Sequence, residues 1–341
     1  MKKLSETMMR LYEIGISEEE YIRRYNEYYS LYKSKMEKYG ASSISKISIS
    51  FKRRLHKLVI LFLKANALFK GMSNEVISDK HSITSRPVIY AVTHIGKYDI
   101  ETLGAILKEH FSVLTSDFER TSESIDGFFL SLNGVLYFNH LDKNDRKQIS
   151  ERMISTLKAG DNLMYFPEGA WNMSPNLPML PCFWGIIDVA KRGRADIIPI
   201  AIEQYGKHFK INIGSNINLN NYNGTVESKA ECILLLRDCL ATLKWEIWET
   251  EPIHRAKIEN CYWQSYQISR FSEWPFISHK CLKSFGIDDS DSEFIKYNEM
   301  YIDSLTFKPK GQINSLEAYD HLGRICPNLN NAFLFNKRNL F

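Results

Sequence analysis

The hydrophobic and polar positions along the chain change rhythm twice. Over residues 1 to about 70, charged residues alternate with Tyr, Leu and Met and no proline intervenes, which predicts helix. Within this stretch, SFKRRLHKLVILFLKANALFKG puts Leu55, Leu58, Val59, Phe62, Ala65 and Phe69 on one side at about 100° per residue, with Arg53, Lys57 and Lys64 opposite. A basic amphipathic helix of this kind has two uses. It lies in the interface of an anionic membrane, or it packs on the protein's own core and turns its basic side to water. From about residue 86, short apolar runs alternate with longer amphipathic stretches. VIYAVTH, FSVLTSD, GVLYFNH, NLMYFPEG, DIIPIAI and FKINIGSNI read as strands. DIETLGAILKEHF, KNDRKQISERMISTLKAG and LPCFWGIIDVAKRG read as helices, the last two ended by Gly160 and Gly193. This alternation predicts an α/β fold, a layered sheet flanked by helices. After about residue 218 the alternation stops. SKAECILLLRDCLATLKWEIWE reads as one long helix, and the aromatic-rich remainder as part of a mostly helical C-terminal extension folded on the core. The expected division is residues 1–75 as an N-terminal helical segment suited to a membrane interface, 76–220 as the α/β core and 221–341 as the extension.

Composition narrows the picture only modestly. With 341 residues, 44% hydrophobic and 25% charged, the chain can bury a sizeable core. A formal charge of +4 is small for this length and points away from nucleic acid as a partner. Six thinly spread cysteines without a CxxC pair read as free thiols in a reducing compartment. The N-terminus MKKLSETMMRLYEIG has no apolar core of a secretory signal. The best apolar run, Leu58 to Leu63, is bounded by Lys57 and Lys64 and is far short of the roughly 20 residues that span a bilayer. The expected location is cytoplasmic, peripheral at the inner face of the cell membrane.

Two short stretches carry candidate chemistry. In THIGKYD, His94 follows a predicted strand and Asp99 opens the next helix, with Gly96 between them. Residues just past strand ends enter the crevice above an α/β sheet. A histidine there works near neutral pH as a general base, and a carboxylate across a tight turn fixes its tautomer and stabilises the imidazolium that forms. The alternative for Asp99 is a plain helix N-cap. In YFPEGAWN, a strand ends in Pro167-Glu168-Gly169, which holds Glu168 at a strand end within reach of the same crevice. The alternative is a surface turn with a solvated glutamate.

Taken together, His94-x4-Asp99, Gly134-Val135-Leu136-Tyr137-Phe138, Phe166-Pro167-Glu168-Gly169 and Ile197-Ile198-Pro199-Ile200-Ala201 occur in that order. The series resembles the glycerolipid acyltransferases, the 1-acylglycerol-3-phosphate acyltransferase (PlsC-like) family, over roughly residues 85 to 215. The resemblance implies a catalytic pair, His94 and Asp99, acting on the hydroxyl of a lysophospholipid or related glycerolipid. It implies acyl-CoA or acyl carrier protein as the acyl thioester donor, no further cofactor and no metal. Glu168 and Gly169 would help hold the acceptor. The absence of a G-x-S-x-G nucleophile motif agrees with direct transfer.

The chain departs from the family where an acceptor phosphate is bound. The second block usually ends in arginine, and His140 stands there; the third usually reads Phe-Pro-Glu-Gly-Thr-Arg, and Ala170 and Trp171 stand in the last two places. Neither imidazole nor indole reproduces the planar fork of arginine. Each lost charge-assisted bond weakens phosphate binding by about 1.5 to 3 kcal/mol. Either other cations take over, Lys97 first and Lys143 or Arg146 next, or the acceptor lacks that phosphate. Trp171 suits the flat face of a sugar ring, or else packs beside the turn. A sugar, envelope-glycan or amino-lipid acceptor, and a non-catalytic lipid-binding relative, are the alternatives.

Overall fold

The computed structural model describes residues 48–96, 98–115, 125–138, 143–169, 182–220 and 222–250, with residues 17, 19, 23, 30, 34, 37, 38, 172, 178 and 179. Lys97, His140, Ala170 and Trp171 lie outside the described residues, as do most of the expected N-terminal helix and everything after residue 250. By chain segment there are two compact units: residues 30–167 with 183–233, and residues 1–29, 168–182 and 234–341.

The first unit holds the sheet. In chain order its elements are α1 (Ile49–Phe69), β1 (Ser73–Asp79), β2 (Val88–Val92), α2 (Asp99–Ile106), β3 (Phe111–Thr115), α3 (Ile125–Asn133), β4 (Val135–Tyr137), α4 (Lys143–Lys158), β5 (Asn162–Tyr165), α5 (Gly185–Gly193), β6 (Asp196–Tyr205) and β7 (His208–Ile213). The seven strands run in the order β1-β7-β6-β2-β5-β3-β4. From β6 to β4 all neighbours are parallel, β7 is antiparallel to β6, and β1 is parallel to β7. This is the expected α/β architecture, a layered sheet flanked by helices. The central strands are buried on both faces: every residue of β2 is buried, as are the first seven residues of β6. Their continuous apolar runs are what an interior parallel strand requires. β1 and α3 were not anticipated, and α5 begins at Gly185, later than its apolar run starts.

Glycine closes α4 as expected: Gly160 takes a left-handed φ of 79° just past the last turn. Gly193 does something else. The left-handed residue after α5 is Arg194, with φ 55°, while Gly193 sits where a Cβ would come within 2.5 Å of Leu157 Cδ1 on α4. It permits close approach of two helices and is no chain terminator.

α1 departs from expectation in its orientation. Its buried residues are Lys52, His56, Val59, Leu63 and Ala67, whereas Leu58, Leu61, Leu68 and Phe69 are exposed. Of the expected inward face, Val59 is buried and Leu55 and Phe62 are half-buried, Phe62 stacked on Phe129 of α3, while Leu58, Ala65 and Phe69 are exposed. The cause is a polar hub at the amino-terminal ends of the strands. His110 lies between Asp161 Oδ1, 2.5 Å from Nδ1, and the Asn133 carbonyl, 2.6 Å from Nε2. Carboxylate and carbonyl only accept, so both ring nitrogens donate. Ser112 Oγ donates to the other Asp161 oxygen at 2.8 Å, and His56 Nδ1 meets Asn133 Oδ1 at 2.7 Å. Burial pushes the Lys52 ammonium below its ordinary pKa, and Asp161 opposes the shift. The hub gives two polar side chains of α1 reasons to face inward, and hydrophobic periodicity cannot register that. Further along, Leu63 packs so closely on α2 that a Cβ at Gly104 would lie 2.8 Å from its Cδ1.

In the second unit, the described part of α6 (Val226–Thr250) from Leu234 onward buries Leu236, Leu240, Trp245, Ile247 and Trp248, with the two indoles 6.3 Å apart. Among the described residues, no helix is long and apolar enough to cross a membrane.

Asp161 is the counter-charge of the hub. Its replacement in Asp161→Ala strands His110 and Lys52 in a buried place, and the expected cost is about 3 to 5 kcal/mol of folding stability. Urea unfolding measures it as a lowered midpoint at unchanged slope; a midpoint equal to that of the wild type would show the hub to be of no consequence.

Candidate active site

β2 ends at Val92, and the chain continues along β6 for one more residue through Thr93. Thr93 N donates to the Ile200 carbonyl at 3.0 Å, and its side-chain oxygen accepts from Ile202 N at 2.9 Å. Thr93 is 1% exposed, so the residue that follows it leaves the sheet from a fixed point. That residue is His94, beyond the carboxyl end of a central parallel strand, the place where α/β sheets present their ligands.

Asp99 is the first residue of α2, and Tyr98 holds the N-cap position without a side-chain cap bond. The Asp99 carboxylate serves the turn before the helix. Oδ2 accepts from Ile95 N at 2.8 Å and Gly96 N at 3.1 Å, and His94 Nδ1 lies 2.8 Å from the same oxygen. An oxygen that already accepts two amides is an acceptor for the ring as well, so Nδ1–H donates and the basic lone pair of neutral His94 lies on Nε2. The Asp99 side chain is 1% exposed and the His94 side chain 18%. The carboxylate is thus withdrawn from water, while the imidazole keeps an edge to its surroundings. Phe166, one residue past β5, stacks on the His94 ring with centroids 4.1 Å apart and planes 22° apart. β5 is the parallel neighbour of β2, with Tyr165 opposite Ala91.

Of the residues singled out from sequence, the structure brings His94 and Asp99 into direct hydrogen-bonding contact. Glu168 is fully buried, so the Pro-Glu-Gly turn is no solvated surface corner. Gly169 takes a φ of 63°, the left-handed conformation its place in the turn predicted. Both belong to the second unit. Lys97, His140 and Trp171 are outside the described residues. Lys143 and Arg146 fall on α4, where Arg146 is exposed. Phe166 stands inside the Phe-Pro-Glu-Gly block, where sequence singles out the glutamate and gives the aromatic ring no task.

A mixed, mostly parallel sheet with a His–Asp pair just beyond the carboxyl end of a central strand places the chain among α/β proteins. The comparisons with known proteins narrow it. Residues 74–203 match the family model described as Acyltransferase. An uncharacterized acyltransferase of Schizosaccharomyces pombe is 27% identical over 139 residues, 40% of this chain and 48% of its own length. The 1-acyl-sn-glycerol-3-phosphate acyltransferase of Saccharomyces cerevisiae is 22% identical over 142 residues, 41% of this chain and 46% of its own. The chain therefore spans about half the length of the curated relatives it matches. Among solved structures, the 1-acyl-sn-glycerophosphate acyltransferase PlsC of Thermotoga maritima aligns with a TM-score of 0.44 and 14% identity, over 59% of this chain and 82% of that one.

Asp99 is the acceptor on which the His94 turn depends. In Asp99→Ala the amides of Ile95 and Gly96 lose a charged partner, and each such bond contributes about 1.5 to 3 kcal/mol. Hydrogen exchange at these two amides should accelerate by roughly 10- to 100-fold, while exchange in β2 and β6 stays at the wild-type rate. Unchanged exchange at Ile95 and Gly96 would contradict the assigned bonds.

Proposed function

We propose that the chain is an O-acyltransferase that moves a fatty acyl group from an acyl thioester, acyl-CoA or acyl carrier protein, to a hydroxyl of a lysophospholipid or related glycerolipid. The observation that carries this reading is the 2.8 Å bond between His94 Nδ1 and the buried Asp99 carboxylate at the carboxyl end of β2. His94 Nε2 takes the proton of the acceptor hydroxyl as its oxygen attacks the thioester carbonyl. Asp99 stabilises the imidazolium that forms. The tetrahedral intermediate collapses with cleavage of the C–S bond, and the proton on Nε2 passes to the departing thiolate. The acyl group goes straight to the acceptor, and the protein forms no acyl ester of its own. Glu168, Gly169, Lys97, His140 and Trp171 are the residues we assign to the acceptor, from the sequence blocks in which they stand. The family match and the activity named for the Saccharomyces cerevisiae relative support the reading. A second acceptor class is favoured by one specific feature: His140 and Trp171 stand where two phosphate-binding arginines are usual. With those forks missing, a sugar or other phosphate-free hydroxyl fits the same chemistry.

The acceptor, the acyl chain or both reside in a bilayer, and α1 supplies a surface for one. Phe51, Leu58, Leu61, Leu68 and Phe69 are 49 to 92% exposed. At about 100° per residue they lie in a sector of about 100°. Arg54, Lys57 and Lys64, also exposed, fall within or beside it. Apolar side chains bordered by cations fit the interface of an anionic leaflet, on the cytoplasmic face of the cell membrane.

Two experiments test these readings. Radiolabelled palmitoyl-CoA is offered with lysophosphatidic acid, lysophosphatidylcholine or octyl glucoside as acceptor, and His94→Ala is expected to lower transfer by about 10²- to 10⁴-fold. Wild-type turnover by that variant would end the general-base mechanism. Labelled product with lysophosphatidic acid assigns a phosphate-bearing acceptor, and product with octyl glucoside alone assigns the sugar class. For the membrane, flotation with phosphatidylglycerol vesicles should exceed flotation with phosphatidylcholine vesicles. Leu58→Asp with Leu61→Asp should cut the bound fraction at least tenfold, given about 1.5 to 3 kcal/mol per buried leucine. Equal binding by the double variant would remove α1 from the interface.

A further inference from the structure

A hydrogen bond at Nδ1 fixes one point of a ring, not its plane. His94 is held at Nδ1 by Asp99 Oδ2, and rotation about that contact would swing Nε2 through an arc without lengthening the bond. A flat surface against the ring face opposes the swing. Phe166 supplies one, stacked at 4.1 Å and within 22° of parallel. The phenyl ring is itself held. It is partly buried against the core cluster that includes Val92, Ile95 and Ile200. The chain on its amino side is β5, in register with β2, and on its carboxyl side the Pro167 carbonyl accepts from Phe183 N at 2.8 Å. The two contacts thus come from two elements, α2 and the end of β5, and bear on different degrees of freedom of the same imidazole.

We propose that Phe166 is a positioning residue, one that sets the plane of the His94 imidazole and with it the direction of the Nε2 lone pair. The proposal rests on His94 being the base. Misdirection of a base by about 1 Å costs on the order of 10²-fold in rate, and the phenyl face also favours the imidazolium that forms on proton transfer. The requirement is for a flat ring rather than for apolar volume. Phe166→Leu keeps an apolar side chain and loses the plane; Phe166→Tyr keeps both.

The test measures palmitoyl transfer to lysophosphatidic acid and to octyl glucoside by the wild type, Phe166→Leu, Phe166→Tyr and His94→Ala, with kcat and KM for palmitoyl-CoA separated. Phe166→Leu should lower kcat by about 10- to 100-fold with KM within about twofold, and Phe166→Tyr should restore it. A readout without turnover accompanies it: ring-proton NMR signals of His94, shifted upfield by the stacked phenyl, should move downfield in Phe166→Leu and stay in Phe166→Tyr. Wild-type kcat in Phe166→Leu, a tyrosine variant as slow as the leucine one, or unmoved His94 signals would each overturn the proposal. If His94→Ala retains full activity, the general-base reading fails. If His94→Ala is inactive while Phe166→Leu matches the wild type, the base stands and only the role of Phe166 falls.

Discussion

One carboxylate oxygen, Asp99 Oδ2, organises the site. It collects the amides of Ile95 and Gly96 and the Nδ1–H of His94 within 3.1 Å. Two of these bonds close the turn between β2 and α2, and the third orients the ring that the turn presents. The same negative charge therefore shapes the loop and orients the His94 ring. It sits in the first turn of α2, where the positive end of the helix dipole favours an anion. An asparagine at this place would keep part of the loop geometry but lose the charge that an imidazolium needs opposite it.

The family blocks were legible because each is local in sequence. His94 and Asp99 are five positions apart, and their relation follows from a strand end, a glycine and a helix start. The interior strands were legible for a related reason. Strands buried on both faces read as unbroken apolar runs, as in β2 and the first part of β6. The edge strand β1, SNEVISD, has mostly exposed or half-exposed positions and carries no such run. α3, nine residues of IDGFFLSLN, is too short and too apolar for its period to separate helix from strand. Phe166 lay in plain view inside a known block. Its stack on His94 depends on the parallel pairing of β5 with β2, a relation between distant parts of the chain that spacing does not encode.

The orientation of α1 shows the same limit more sharply. Counting apolar residues selects the face richest in Leu and Phe, yet the helix turns Lys52 and His56 inward. Buried polar groups are tolerated where hydrogen-bond partners meet them. Here Asn133 holds His56, and Asp161 opposes Lys52 while holding His110 and Ser112. The partners come from the starts of β3, β4 and β5, so the inward face of α1 is decided by the sheet. Burial also lowers the pKa of His56, which keeps that ring neutral beside His110.

From this hub α1 runs to the opposite end of the sheet. At its carboxyl end Lys70 Nζ is 3.0 Å from Glu101 Oε2 and lies over the Tyr98 ring at 5.3 Å. Tyr98 and Glu101 flank Asp99 on α2. One helix is thus tied at its start to the Asp161 network and at its end to the residues beside Asp99, with Leu63 locked against Gly104 between them. The consequence is geometric. Because both ends and the middle are fixed, the direction in which Leu58, Leu61, Leu68 and Phe69 face is fixed relative to His94. Rotating α1 to bury those side chains would break the hub at one end and the Lys70–Glu101 pair at the other. The exposed stripe is therefore the cost of an inward polar face, and it gives the site a defined stance toward whatever surface the stripe meets.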